Sequence, residues 1–87
     1  MPIYAVQRKL PGITMENLAG AQKAAIDTSN KFSDEGTSVK YIRSNFYPGD
    51  SRCTCLFEAA DAETVRRVNE EASLPFEMVE EVLDLNP

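Results

Sequence analysis

Apolar positions along this chain switch between two periods. In IYAVQRKL they are β-branched and aromatic, and the stretch ends at PG, a turn signal, which predicts a first strand. In TMENLAGAQKAAIDTSNKF the period becomes helical. Met15, Leu18, Ala25, Ile26 and Phe32 form one apolar face, Thr14 caps the start, and Glu16 suits the positive end of the helix dipole. SDEG ends this helix, with Gly36 as its stop. TSVKYIRSNFY then predicts a long second strand, and RCTCLFE a third. PGDS turns between them, with Pro48 presetting φ and Gly49 accepting a positive φ. Asp61 caps a second helix, AETVRRVNEEA, whose apolar side holds Val65, Val68 and Ala72. SLPF breaks it, because Pro75 disfavours helical geometry just before itself. EMVEEVLDL is read as the last strand, although its paired glutamates also suit a helix.

The order β-α-β-β-α-β with right-handed crossovers predicts an α+β, ferredoxin-like domain. It is a four-stranded antiparallel sheet with two helices on one face, spanning residues 1–87 as a single unit. On the third strand Cys53, Cys55 and Phe57 point one way, and Thr54, Leu56 and Glu58 the other. On the second, Val39 and Tyr41 are expected to oppose Ile42 and Phe46. Both sheet faces therefore carry apolar groups, whereas a sheet with one face in water alternates more cleanly. The expectation is that a second copy of the chain covers the open face, giving a homodimer of the dimeric α+β barrel type.

Composition narrows the partners. Of 87 residues, 43% are hydrophobic and 26% charged, ordinary for a globular domain, and the net charge is −5. That balance argues against a nucleic-acid surface, which needs clustered Lys and Arg, and against a polybasic membrane contact. No apolar run approaches the roughly 20 residues of a membrane span. MPIYAVQRKL lacks the apolar core of a signal peptide, so the expected location is cytoplasmic, where thiols stay reduced.

Read together, MPIYAVQRKLPG, VKYIRSNFYPGDSRCTCLFEAADAETVRR and LPFEMVEEV resemble a small bacterial family, most of whose members have no established function. The resemblance covers nearly the whole chain and implies a ferredoxin-like, dimeric fold related to nickel-binding proteins. Members commonly carry a histidine before the serine of the second strand and another within the second helix. Here those places hold Arg43 and, approximately, Val68, and the chain has no histidine at all. Imidazole is the side chain that best suits nickel. Cys55 matches the family's strand cysteine, and Cys53 is additional.

Four groups of residues are candidates for chemistry. Cys53 and Cys55 share a strand face, so both sulfurs could reach one soft ion. A closed zinc site, however, wants about four ligands. A disulfide between them would be strained, and free cysteine packs well as a small hydrophobe, which is the favoured reading. Pro2, as an N-terminal secondary amine, could act as the general base of a tautomerase, although such units are shorter than this chain. Tyr41, Arg43, Asn45 and Glu58 form a polar cluster on the hairpin, with the first three expected on one face and Arg43 oriented to take an anion. The plainer alternative is an Arg43–Glu58 surface pair of little net worth. The acidic run Glu77, Glu80, Glu81 and Asp84 lacks the glycine-turned loop of a calcium site and reads as a solvated face.

The function expected is therefore that of a dimeric module binding a small molecule or partner, with Tyr41, Arg43, Asn45 and Glu58 as its ligand-binding residues. No cofactor is expected, with a transition metal on Cys53 and Cys55 as the alternative. The competing class is an enzyme: a cofactor-free catalyst on a dimeric α+β barrel, or a Pro2-dependent tautomerase.

Overall fold

The computed structural model describes residues 1–87. It contains β1 (Ile3–Lys9), α1 (Met15–Asp34), β2 (Val39–Tyr47), β3 (Arg52–Ala59), α2 (Ala62–Glu71) and β4 (Met78–Val82). The strands pair antiparallel in the order β2-β3-β1-β4, the α+β ferredoxin-like arrangement. Both helices begin on side-chain caps. Thr14 Oγ1 accepts from the Asn17 amide, and Asp61 Oδ1 accepts from the Thr64 amide. Each cap satisfies an amide that the first helical turn leaves without a partner.

Both helices pack on one sheet face. The core there joins Tyr4 and Val6 of β1, Cys53, Cys55 and Phe57 of β3, Val79 of β4, Ala25 and Phe32 of α1, and Val65 and Val68 of α2. Phe57 is fully buried and meets Tyr41 edge-on, with ring centroids 5.5 Å apart.

The expected face of α1 is shifted. Ala25 and Phe32 are buried and Leu18 half-buried, but Met15 is 75% exposed and Ile26 also faces out. Small residues take their place: Ala21 is half-buried and Ser29 buried. Ala21, Ala25, Ser29 and Phe32 keep the three-to-four spacing of one helical stripe. A stripe of small side chains lets the helix lie close to the sheet, which a search for large apolar residues overlooks.

Strand β2 also departs from simple alternation. Its register against β3 slips between Tyr41 and Arg43, so Tyr41 opposes Phe57, Arg43 opposes Leu56, and Ile42 is the extra residue of a β-bulge. A bulge reverses the alternation downstream of it. Phe46 therefore shares the helix-facing side with Val39 and Tyr41 instead of opposing them, and Ser44 joins it. Arg43 and Asn45 face the open side, away from Tyr41.

The hairpin turn differs from expectation as well. Gly49 does not adopt a positive φ; Ser51 does, at 60°. The Ser51 carbonyl then accepts from the Leu10 amide at 2.9 Å, tying the turn to the end of β1. Gly36 follows α1 with φ of 96°, a conformation that costs glycine little.

On the open face Ala5 and Leu56 are buried, and Thr54 donates to Gln7 Oε1 at 2.8 Å. β4 stops at Val82, short of the expected LDL extension. Asp84 beyond it accepts from Arg43 Nη2 at 2.6 Å. Since β4 and β2 are opposite edges of the sheet, this bond carries the C-terminal segment over the open face, leaving Leu83 and Leu85 exposed.

Candidate functional site

Cross-strand pairing assembles the site. Arg8 opposes Cys53 across β1 and β3, and Phe46 opposes Cys53 across β2 and β3. One row further along, Val6 and Ser44 flank Cys55. Cross-strand partners share a face, so Arg8, Ser44 and both cysteines point under α1. There they line a cavity of about 130 Å³, closed by Leu18, Ala21, Gln22 and Ala25 of α1 together with Leu10, Phe46 and Leu74. Gln22 is exposed, so the cavity reaches the surface beside it. Pockets for cofactor-sized ligands measure roughly 300–1,000 Å³, so this one admits only a small group.

Arg8 is the unusual member. It is only 4% exposed, yet no carboxylate lies within ion-pairing distance of it. Its guanidinium donates instead to Asn69 Oδ1 at 2.8 Å and to the Pro75 carbonyl at 3.1 Å. Asn69 is itself fully buried and donates its own amide to the Val65 carbonyl at 2.8 Å, which fixes which end faces Arg8. A guanidinium stays charged in proteins, and a buried charge with only neutral partners is costly.

The thiols are the nearby groups able to carry a negative charge. Cys53 Sγ and Cys55 Sγ are 3.9 Å apart, and Ser44 Oγ donates to Cys55 Sγ at 2.9 Å. Behind Ser44, Tyr41 Oη is 2.6 Å away and accepts from Gln22 Nε2 at 3.0 Å. With Ser44 donating to sulfur, every donor in this series points the same way: Gln22 to Tyr41, Tyr41 to Ser44, Ser44 to Cys55. Chains of this kind strengthen each member. The Cys53 hydrogen bond, the Arg8 charge and the Ser44 hydroxyl together hold the Cys55 thiol well below the ordinary thiol range, against the opposing effect of burial. Cys53 moves upward, because it shares its proton with Cys55 and is buried. The pair thus favours one thiolate, on Cys55.

The predicted site residues divide between the two sheet faces. Cys53 and Cys55 are both free and buried at the cavity floor. Tyr41 touches the cavity through Gln22 and Ser44, whereas Arg43, Asn45 and Glu58 lie on the open face, so the hairpin cluster does not come together as expected. Arg43 is paired with Asp84, not Glu58. Pro2 is exposed at the opposite end of β1 from Arg8, and its carbonyl accepts from the Ala59 amide at 3.1 Å. At the two positions where the resemblance implies histidines, Arg43 faces the open side and Val68 is fully buried in the core. The acidic residues Glu77, Glu80 and Glu81 are exposed.

Sequence reasoning missed Arg8, Ser44 and Asn69. Arg8 was within reach, because it continues the Tyr4, Val6 alternation onto the buried face. Ser44 was hidden by the bulge. Asn69 was within reach too, because it stands at the i+4 position of the Val65, Val68 and Ala72 stripe, on the buried face of α2.

The family model described as "Nickel responsive protein SCO4226-like" matches residues 4–82. The crystal structure of SCO4226 from Streptomyces coelicolor A3(2) is similar with a TM-score of 0.80, covering 98% of this chain and 99% of that one, at 24% sequence identity; that likeness speaks for the fold alone. No curated protein matches. With the family match running from β1 through the end of β4, the chain belongs to the SCO4226-like family of nickel-responsive proteins.

Proposed function

We propose that this protein is a small-ligand-binding module whose ligand seats in the cavity under α1, against Cys55 and Arg8. One observation carries the reading: a buried guanidinium without a carboxylate partner faces a cavity whose only other ionisable groups are two thiols. An anionic or thiophilic ligand completes the charge balance there. The anion-orienting role expected of Arg43 is better suited to Arg8. Tyr41 does not line the cavity and acts from behind Ser44, through its hydroxyl.

Nickel does not fit these residues. The chain has no histidine, and no three side chains among Cys, Asp and Glu gather to hold an ion. The two thiols present face a buried cation, which opposes a divalent metal. A Pro2-dependent tautomerase has nothing in its favour in the surroundings of Pro2.

The proposal includes a homodimer formed through the open sheet face. The exposed apolar side chains of Met78, Leu83 and Leu85 at that face support this. A reducing compartment such as the cytoplasm suits a site built on free thiols. No helix is long and apolar enough to cross a membrane.

Alkylation by two reagents that differ only in charge tests the site. Both iodoacetate and iodoacetamide displace iodide to form a thioether on Cys55. Iodoacetate, the anion, is expected to gain on iodoacetamide relative to their rates with a free thiol. That gain disappears in Arg8→Gln, and both rates fall several-fold when Ala21→Leu fills the cavity. Thiols that react only after unfolding, or with no preference for the anion, overturn the proposal.

A further inference from the structure

We propose that Cys53 and Cys55 form a two-coordinate site for a soft monovalent metal ion of the copper(I) class, with Arg8 as its counter-cation. This rests on the reading of the cavity as the ligand site and names the ligand. Three features of the site select the ion.

The first is sulfur geometry. Alternation along β3 brings both side chains to one face, with sulfurs 3.9 Å apart. At metal–thiolate bonds of about 2.3 Å, that separation subtends about 116° at a shared ion. Opening to a linear arrangement needs a sulfur separation of about 4.6 Å, a movement of under an ångström that side-chain rotation supplies.

The second is the number of ligands. Zinc in a structural site takes four ligands, and nickel favours imidazole. Here no third Cys, Asp or Glu stands beside the pair, and histidine is absent. The rest of the cavity wall is mostly aliphatic or aromatic, with Ser44 and Gln22 already bonded to the Tyr41 hydroxyl. Thiolate ligands select soft ions, copper(I) among them, and an ion content with two ligands fits what this wall offers.

The third is charge. Two thiolates with a divalent ion make a neutral unit and leave Arg8 unbalanced in the interior. Two thiolates with a monovalent ion carry one negative charge, which Arg8 cancels. With one thiolate already on Cys55, binding displaces the remaining thiol proton, that of Cys53, to solvent, and no electron changes hands. Arg8 is therefore a positioning residue, held by Asn69 and Pro75 beside the sulfurs without touching the ion.

Native mass spectrometry of the reduced protein tests this, with silver(I) as a stable probe and copper(I) supplied without oxygen. The expected result is one ion per chain, retained against excess nickel(II) or zinc(II) and lost in Cys53→Ser and in Cys55→Ser. Arg8→Gln, which keeps both thiols, weakens binding by roughly 10–100-fold, the cost typical of losing a group that supports a metal's ligands. Arg8→Lys, which keeps the charge, recovers part of it. Far-ultraviolet circular dichroism checks that each variant is folded. Silver bound equally by the serine variants, or displaced by nickel, overturns the proposal. If iodoacetate still reacts at Cys55 under the guidance of Arg8 while silver is ignored, the cavity reading stands and the metal assignment alone fails.

Discussion

Ser44 Oγ donates to Cys55 Sγ at 2.9 Å, at the end of a series of donors that begins on α1 with Gln22 and passes through Tyr41. The series exists because the bulge at Ile42 turns Ser44, and not Arg43, toward the helices. A local irregularity in β2 thus decides which chemistry faces the cavity.

Removing members of this series should shift Cys55 by graded amounts. Ser44→Ala deletes the donor to sulfur and moves the ionisation of Cys55 upward. Tyr41→Phe removes only the group behind it, so the shift has the same sign and is smaller. The pH dependence of iodoacetamide labelling reads both. Equal shifts, or none, would show that the donors do not act on the sulfur as a chain.

Stability should depend on pH through the thiol pair. Cys55 ionises at about 5 in the folded protein against 9.0 for an unperturbed thiol. A depressed acid adds stability that is complete above its unfolded value and lost as pH falls through its folded one. The Cys55 contribution is therefore full near pH 9, shrinks as the pH drops, and is gone below about 5. Cys53 is raised, so its contribution turns unfavourable as the pH climbs past 9.0. Urea unfolding of the wild type and of Cys55→Ser isolates the effect. The difference in stability should grow from pH 5 to pH 9, and a flat difference contradicts it.

Arg8 depends on Asn69. Asn69→Ala removes the acceptor at 2.8 Å and opens space beside a buried cation, and should cost about 2–4 kcal/mol in urea unfolding. Asn69→Asp keeps an acceptor and costs less. It also brings a carboxylate to Arg8, so Cys55 should ionise at a higher pH in that variant. A loss below about 0.5 kcal/mol for Asn69→Ala, the range of ordinary surface changes, would count against the Arg8 assignment.

The bulge makes a prediction about deletions. Removing Ile42 leaves Tyr41, Arg43 and Ser44 in ordinary alternation, so every later residue keeps its face. Removing Asn45 instead forces one half of β2 onto the wrong side. The first deletion should leave a folded protein with a reactive Cys55, and the second should lose cooperative unfolding. Similar outcomes for the two would mean that Ile42 is not the inserted residue.

These elements also mark what the sequence could and could not disclose. The six elements follow from period, caps and turn residues, because Thr14, Asp61 and the PGDS turn act locally. The face of β2 beyond Tyr41 does not follow, because one inserted residue inverts the alternation and nothing in YIRS marks it. The site was half legible. The Cys-x-Cys spacing gives the shared face of the sulfurs, but their partners come from β1, β2 and α2, and Arg8 and Asn69 lie 61 residues apart along the chain. Pairing Arg43 with Asp84 likewise needs the sheet order, which sets β2 and β4 on opposite edges.

On this reading Arg8 and its neighbours hold a thiolate on Cys55 at the floor of the cavity. Ultraviolet absorbance of the thiolate, followed against pH in the native protein, reads that charge without a label. The expected result is one thiol ionising well below the ordinary thiol range, absent in Cys55→Ser and displaced upward in Arg8→Gln, with Cys53 remaining protonated throughout. Two thiols that ionise together at or above the ordinary range, unchanged in Arg8→Gln, would contradict it.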